Sequence, residues 1–343
     1  MAPPQGLAAT GQSNLGLLLS ALVGEDRAVW ALETLSVDPA LLEPADQPTR
    51  AHVAMALNAA LFLDLLDRVP TAARHVGEVR GAGVPIVFDH GALRTIDGAT
   101  GDLPSGHQAF ARFLEPLGYE VAGLYPLPAL KMTGRAFAHR DLPESVPQFF
   151  VSELHIDQLP EEAQAAAQRI FGASGDPFSP GDVFALNALA RDGTCSTEQA
   201  VTILRAALGA FQRQHPVPAL ADYRALLEHS KEGAWIATEG NAFNHATTRV
   251  PDVMALSDQL KAQGYPMKPA VEVSQNGRVR QTAILADKVS RPFRLEDGSE
   301  TMLEVPGSFY EFITRDVVPE TGKLDLTFDS GNATGIFAVT RDK

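Results

Sequence analysis

The stretch that decides the fold lies at residues 84–94 and reads VPIVFDHGALR. Its first five residues are apolar and predict a short buried strand, at whose end Asp89 and His90 follow. Gly91 permits other groups to approach the backbone closely. Because a strand end is a rigid support, His90 is a candidate metal ligand, and Asp89 is a candidate for orienting a neighbouring group. An ordinary hydrogen-bonded histidine explains the stretch equally well at this point.

Hydrophobic periodicity divides the remaining chain into helical and β-rich parts. The predicted parts are, in chain order, a flexible tail (1–14), a helical flank (15–79), a first β part (80–158), a helical insertion (159–232) and a second β part (233–343). Residues 15–343 are expected to form a single catalytic domain. In the first β part, further strands are predicted near residues 118–124, 129–139 and 148–155.

Two turn signals in the second β part predict hairpins. The segment 271–280 reads VEVSQNGRVR, and its Asn-Gly pair can supply the positive φ angles of a type I′ turn. The Asp-Gly pair at 297–298 separates two further strand-like runs. Strands are also expected over residues 308–314 and 335–340. Hairpins flanked by helices predict an α+β fold with a curved β-sheet as its core.

The composition excludes several classes of protein. The 343 residues carry a formal net charge of -14, which argues against nucleic acid as the main partner. Cys195 is the single cysteine, so an internal disulfide and a thiolate-rich zinc site are excluded, as expected in a reducing, cytoplasmic compartment. No apolar run reaches the roughly 18 residues of a membrane span. The absence of G-x-x-x-x-G-K-[ST], G-x-S-x-G and H-E-x-x-H motifs disfavours P-loop enzymes, serine hydrolases of that type and zincins.

Two later residues complete a candidate metal site. His245 lies in the segment TEGNAFNHATTR, where small polar residues suit the neighbourhood of a ligand, although a turn has the same composition. Glu311 lies in the strand-like segment SFYEFITR, among apolar residues of the same face. A carboxylate in such a place is costly unless it is paired or binds a metal. Arg315 shares that face, so a plain ion pair is the alternative to a metal ligand.

Two neutral imidazoles and one carboxylate make a facial triad, which suits non-haem Fe(II) and leaves positions for a bidentate 2-oxo acid and O₂. Because the three residues are far apart in the sequence, they would have to converge from separate strands. The remaining histidines are assigned to surface or helix-terminal positions (His52, His75, His215, His229), a helix cap (His107) and structural positions or positions behind the ligands (His139, His155). His155, in an alternating segment, is the main rival ligand.

Five segments together resemble the 2-oxoadipate dioxygenase/decarboxylase family, also called hydroxyglutarate synthase. They are FDHGALRT (88–95), GLYP (123–126), FVSELH (150–155), NAFNH (241–245) and FYEFITR (309–315). The last segment also resembles the glutamate strand of hydroxyphenylpyruvate dioxygenases. The resemblance implies a vicinal-oxygen-chelate core, which is a half-barrel of β-strands with flanking and inserted helices. It also implies that His90, His245 and Glu311 hold Fe(II).

The same resemblance implies the conversion of 2-oxoadipate and O₂ into 2-hydroxyglutarate and CO₂, a step of lysine breakdown. Arg94 matches a substrate-contacting arginine of the family and is expected to be catalytic, because its planar guanidinium can bind a carboxylate through two hydrogen bonds. His90 and His245 are expected to contact the substrate as well as the metal. Weaker candidates for substrate contact are Arg135, Arg249 and Ser330.

Two other functions stay open on the sequence alone. A metalloenzyme of the same fold could catalyse an isomerase or lyase reaction with another divalent metal and without O₂. A metal-free protein of that fold could bind a metabolite without converting it, although the intact triad argues against this. The sequence predicts no nucleic-acid or membrane partner, and it fixes neither an oligomeric state nor a preference among 2-oxo acids of similar length.

Overall fold

Eight strands pair into one mixed β-sheet that curls into a half-barrel. The computed structural model of the chain describes residues 13–329. The strands in this range are β1 (Val87–Asp97), β2 (Tyr119–Leu127), β3 (Met132–His139), β4 (Gln148–His155), β5 (His245–Arg249), β6 (Glu272–Val273), β7 (Val279–Ile284), β8 (Lys288–Arg294), β9 (Glu300–Pro306), β10 (Phe309–Arg315), β11 (Val317–Val318) and β12 (Lys323–Leu324).

Helices precede, interrupt and follow the first half of the sheet. They are α1 (Asn14–Val23), α2 (Glu25–Thr34), α3 (Arg50–Arg68), α4 (Pro70–Gly81), α5 (Gln108–Leu114), α6 (Glu161–Phe171), α7 (Pro180–Asp192), α8 (Thr197–Ala210), α9 (Leu220–His229), α10 (Lys231–Glu239) and α11 (Val253–Ala262). In the part of the chain that the structure describes, none of these helices is both long and apolar enough to cross a bilayer.

The sheet order is β2-β3-β4-β1-β5-β10-β7-β6, so β1, β5 and β10 are neighbours at its centre. β1 pairs antiparallel with β5, and β5 pairs parallel with β10. The strands predicted near 118–124, 129–139, 148–155 and 308–314 correspond to β2, β3, β4 and β10. The three candidate metal ligands therefore lie on three adjacent strands.

The predicted strand over residues 84–88 is wrong in its limits. β1 begins at Val87 and runs to Asp97, which places His90 near its beginning rather than beyond its end. Almost all of β1 is buried, because it lies between β4 and β5 with both faces covered. Polar residues and a glycine, which resemble a turn in the sequence, are therefore part of a central strand.

The long helix α3 packs across one face of the sheet. Its Phe62 ring lies 5.2 Å from Phe88 on β1 and 6.3 Å from Tyr310 on β10, measured between ring centroids. The helix starts with a capping box in which Thr49 and His52 exchange hydrogen bonds between side chain and backbone. Helices α1 to α4 occupy both ends of the predicted helical flank, whereas its middle contains only a single 3₁₀ turn.

The second β part forms the expected hairpins with one different turn. The Asp-Gly pair separates β8 from β9, and Gly298 has a φ of 84°. β6 and β7 also pair, but the predicted type I′ turn between them is wrong, because only Gly277 has a positive φ. Asn276 instead accepts a hydrogen bond from the Arg278 amide through its side chain. The strand predicted at 335–340 lies outside the described residues, and the single catalytic domain stays a prediction.

Gly91 allows the ring of Phe243 to lie against β1, because a Cβ atom at this position would overlap that ring. We expect Gly91→Ala to lower the free energy of unfolding by about 1–3 kcal/mol, the usual cost of overpacking a core. Gly77→Ala is the matched control, since a Cβ there meets nothing within 4 Å in helix α4. Urea unfolding of both variants tests this; equal stabilities would contradict the packing of Phe243 on Gly91.

Candidate metal centre

The three predicted ligands meet at the centre of the sheet. His90 Nε2 lies 3.7 Å and His245 Nε2 lies 3.6 Å from Glu311 Oε2. All three donor atoms fall within 4.8 Å of one another, and all three side chains are buried. One cation placed between these atoms could therefore contact all of them.

Strand register explains why these residues converge. Thr247 on β5 is the register partner of His90 on β1 and also of Glu311 on β10. His245 precedes Thr247 by two residues, so both side chains point to the same face of the sheet. The site is thus built from three neighbouring strands around one threonine.

Each histidine is oriented by the residue that precedes it. The Nδ1 of His90 lies 2.9 Å from Asp89 Oδ1, and the Nδ1 of His245 lies 3.1 Å from Asn244 Oδ1. A ring that donates from Nδ1 carries its lone pair on Nε2, the atom that faces Glu311. Both orienting residues are visible in the sequence, as an Asp-His pair and an Asn-His pair. Sequence reasoning nevertheless assigned an orienting role to Asp89 alone.

Thr247 is a functional residue that sequence reasoning missed. Its hydroxyl lies 2.6 Å from Glu311 Oε2 and 3.0 Å from His90 Nε2. The hydroxyl has one proton, which it donates to the carboxylate, so the imidazole lone pair stays available for a cation. Because side chains alternate between the two faces of a strand, the spacing of two residues from His245 could have identified Thr247 from the sequence.

The protonation state of the two histidines suits a cation at this place, whereas a proton on Glu311 would compete with it. Burial lowers the pKa of His90 and lowers that of His245 well below its ordinary value, so both rings are neutral. Burial raises the pKa of Glu311 to about 8, although the Thr247 hydroxyl opposes this shift. Within residues 13–329, Glu311 Oε1 has no hydrogen-bond partner. Two neutral imidazoles and an unsatisfied carboxylate oxygen fit a divalent metal of the non-haem iron type.

The ion pair expected as the alternative for Glu311 is not formed. Arg315 instead binds Asp89, with its Nη2 2.9 Å from Asp89 Oδ1. Burial alone would raise the pKa of Asp89, but Arg315, His90 and Arg249 hold it well below the ordinary value. The buried guanidinium of Arg315 thus neutralises the carboxylate of Asp89 behind His90. It forms no ion pair with Glu311, whose neighbours are the two imidazoles.

A cavity of about 30 Å³ lies beside the two imidazoles. Arg94 lines it, as expected, and its guanidinium lies 5.1 Å from the ring centroid of Trp235. Burial lowers the pKa of Arg94 to about 10, while the charge of Glu232 opposes this shift. Arg94 is therefore a cation at neutral pH. Further side chains of the lining, which sequence reasoning did not identify, are Tyr125, Phe150, Gln281 and Phe328.

Two of the weaker substrate candidates do not line the cavity. Arg249 binds Asp89 at 2.9 Å and does not line the cavity. Arg135 forms an ion pair with Glu153 and does not line it either. Ser330 lies outside the described residues.

The other histidines do not join the site. His155 forms its own group, with Nδ1 2.8 Å from Asp97 and Nε2 2.7 Å from Thr133. His107 begins helix α5, but its side chain makes no capping hydrogen bond and meets Glu153 instead. The structural assignment of His139 agrees with its bond to the Leu117 carbonyl. His52 is buried but lies at a helix terminus, as expected, in the first turn of α3. The expectation of surface or helix-terminal positions is wrong for His75, which is buried within α4, and for His215, which is buried in the loop between α8 and α9.

A curled sheet that carries two imidazoles and a carboxylate on its central strands defines a protein of the vicinal-oxygen-chelate, or glyoxalase, class. The chain belongs to the 2-oxoadipate dioxygenase/decarboxylase family, whose family model matches residues 66–326. The expected family and the expected α+β half-barrel are thereby confirmed.

Relatives in several organisms support this assignment. The 2-oxoadipate dioxygenase/decarboxylase of Oryza sativa is 26% identical over 310 residues, which cover 80% of this chain and 75% of the rice protein. The Mycobacterium bovis protein of the same name is 28% identical over 223 residues, covering 62% of this chain and 53% of its own.

Solved structures agree on the fold. A glyoxalase superfamily protein from Ralstonia eutropha has a TM-score of 0.88 and 49% identity, and the match covers 92% of this chain and 98% of that one. The hydroxyglutarate synthase of Oryza sativa in complex with 2-oxoadipate has a TM-score of 0.66. It is 22% identical, with 87% of this chain and 96% of that chain covered, so it supports the fold alone.

Metal binding should depend on pH through Glu311. A carboxyl with a pKa of about 8 is mostly protonated at pH 7 and must lose its proton to bind a cation, whereas the neutral histidines release none. We expect Mn(II) affinity to rise up to about tenfold per pH unit from pH 6 to 8 and then to level off. Calorimetry in buffers of different ionisation enthalpy measures the released proton.

Glu311→Gln is the control for this dependence. The amide cannot release a proton, so we expect at least a roughly hundredfold loss of Mn(II) affinity and no remaining pH dependence from this group. An affinity in the unmodified protein that stays constant from pH 6 to 8 would contradict the assigned role of Glu311.

Proposed function

We propose that this protein is an Fe(II)-dependent dioxygenase and decarboxylase that converts 2-oxoadipate and O₂ into 2-hydroxyglutarate and CO₂ in lysine breakdown. The observation that carries the proposal is the convergence of His90, His245 and Glu311 beside a cavity that also contains Arg94. Membership of the family and the names of its relatives support the reaction. A cytoplasmic location stays part of this proposal.

The proposed reaction needs no further reductant. The six-carbon 2-oxo diacid and O₂ together contain the atoms of the five-carbon hydroxy diacid and CO₂. Cleavage of the substrate's C1–C2 bond supplies two of the electrons that reduce O₂, and the C–H bond that is hydroxylated supplies the other two. Iron bound at the triad would polarise the 2-oxo group and hold O₂ beside it. The protein has to provide neutral histidines, a deprotonated Glu311 and a fixed substrate.

Arg94 is the proposed partner of the distal carboxylate. It follows His90 by four residues on β1, a Cα spacing of about 13 Å, and alternation directs both side chains to the same face. This spacing suits an extended diacid with its 2-oxo end at the triad and its far end at the guanidinium. A buried guanidinium that stays charged can bind that carboxylate through two parallel hydrogen bonds.

The apolar part of the cavity has a separate role in the proposal. The rings of Tyr125, Phe150 and Phe328 lie together, with centroid distances of 4.8 to 5.8 Å. Such a wall keeps water away from the reacting carbons, which strengthens the electrostatic contacts of the substrate. In this proposal, Arg94 and Gln281 provide the polar contacts that recognise the substrate.

The decisive test is turnover after anaerobic loading with Fe(II). On addition of air and 2-oxoadipate, we expect O₂ uptake, CO₂ release and 2-hydroxyglutarate formation in equal amounts, measured with an oxygen electrode and by mass spectrometry. The Glu311→Gln protein is the control and should consume no O₂. An iron-loaded protein that consumes no O₂ with 2-oxoadipate would refute the proposed activity.

A second candidate is a metal-dependent isomerase or lyase that works without O₂. The 49% identical glyoxalase superfamily structure is the observation that favours it. Anaerobic conversion of a 2-oxo acid by Zn(II)- or Ni(II)-loaded protein, with no O₂ uptake by the iron form, would support this alternative.

Arg94→Lys separates carboxylate binding from metal binding. Lysine retains the charge but cannot form the two-pronged contact, so we expect the kcat/KM for 2-oxoadipate to fall about tenfold to a hundredfold. Turnover of 2-oxohexanoate, which lacks the distal carboxylate, should change less. Arg135→Lys, at the ion pair outside the cavity, should leave both unchanged. Equal losses for both substrates, or loss of the metal, would contradict the assigned role of Arg94.

A further inference from the structure

The guanidinium of Arg315 connects two parts of the site that are distant in the sequence. Its Nε and Nη2 donate hydrogen bonds of 2.9 to 3.1 Å to both oxygens of Asp89. Its Nη1 donates to the carbonyls of Asp325 and Thr327, each at 2.8 Å. We call residues 325–329 the strap. One buried side chain thus links β1 to the strap.

On the β1 side, this link ends at a candidate metal ligand. Asp89 accepts the hydrogen bond from Nδ1 of His90 and receives a second arginine, Arg249, at its other oxygen. The direction of the His90 ring therefore depends on where Asp89 is held. Arg315 is the residue that binds both oxygens of that carboxylate.

On the other side, the link ends over the cavity. The Phe328 ring of the strap lies 4.8 Å from the His90 ring and 4.8 Å from Phe150, between centroids. The Phe328 amide donates to the Tyr125 hydroxyl at 3.1 Å. The Arg315 guanidinium itself lies 5.1 Å from the Phe328 ring centroid. The strap therefore contacts the ligand, the aromatic wall and the arginine together.

The strap forms part of the wall of the cavity. The space beside the two imidazoles is about 30 Å³, and the Phe328 ring lies on its wall. The position of the strap therefore sets the space that a substrate at the triad would have. This step rests on the proposed function, whereas the contacts of Arg315 do not.

We propose that Arg315 is a positioning residue that couples closure of the strap to the orientation of His90. The physical reason is the rigid planar guanidinium, whose donors satisfy the Asp89 carboxylate and two strap carbonyls in one fixed geometry. A movement of the strap shifts Arg315, then Asp89, then the ring of His90. Lysine, with a single ammonium group, cannot hold both sides in this way.

Thermodynamic reciprocity gives the coupling a direct test in the unmodified protein. If strap closure favours the metal-binding orientation of His90, then a metal must favour the closed strap by the same factor. We expect Mn(II) to slow amide hydrogen exchange of a peptide covering residues 324–329 at least threefold. The distant hairpin β8–β9 serves as internal reference and should not change. Unchanged exchange at 324–329, or equal slowing in both peptides, would overturn the proposal.

Variants then test whether Arg315 carries the coupling. We expect Arg315→Lys to weaken Mn(II) binding about tenfold and to abolish the metal-dependent protection of the strap. Arg280→Lys is the matched control, because Arg280 pairs at 2.6 Å with Asp316, the residue between β10 and β11, and is more exposed than Arg315. It should keep the Mn(II) affinity and the protection. Unchanged behaviour of Arg315→Lys would refute the assignment.

The readouts separate this inference from the proposed reaction. Mn(II) affinity and hydrogen exchange require neither O₂ nor substrate. Metal-dependent protection that is lost in Arg315→Lys, together with no turnover of 2-oxoadipate, would support the coupling and refute the reaction. Turnover of 2-oxoadipate without any metal-dependent protection of the strap would support the reaction and refute the coupling.

Discussion

The structure depends on how two buried carboxylates on one sheet are neutralised. Asp89 has Arg315 and Arg249 as ion-pair partners, so it remains an anion despite its burial. Glu311, on a strand two positions away in the sheet, has only imidazoles within ion-pair distance among residues 13–329. Because a buried carboxylate without a cation is costly, Glu311 is the group that a cation from outside would neutralise.

Residue chemistry singled out the three candidate ligands, whereas strand pairing determines the site around them. An acidic residue among apolar neighbours was sufficient to single out Glu311. The importance of Thr247 arises from its pairing with strands on both sides, which a single sequence does not contain. The alternative interpretation, an ion pair of Glu311 with Arg315, is not realised for a simple reason. Four residues along an extended strand separate Cα atoms by about 13 Å, and the arginine binds Asp89 across strands instead.

Burial caused most of the remaining errors of sequence reasoning. β1 was expected to end before Asp89, because polar residues and glycine are typical of turns, but a strand covered on both faces can contain them when each has a partner. In the same way, His75 in α4 and His215 in the loop between α8 and α9 have polar neighbours in the sequence and are nevertheless buried. The hairpins and the helical insertion were predictable, since local turn residues and periodicity determine them.

The charges of the site explain why a diacid is a suitable ligand. In the proposed complex, a divalent metal with the Glu311 carboxylate has one net positive charge, and Arg94 adds another. A 2-oxo diacid contributes two negative charges, which match these two positive ones. A 2-oxo monoacid lacks the second carboxylate that this proposal assigns to Arg94, whose charged form is disfavoured by burial and supported by Glu232. In this proposal the fold itself does not choose the substrate; the placement of one arginine relative to the candidate metal ligands does.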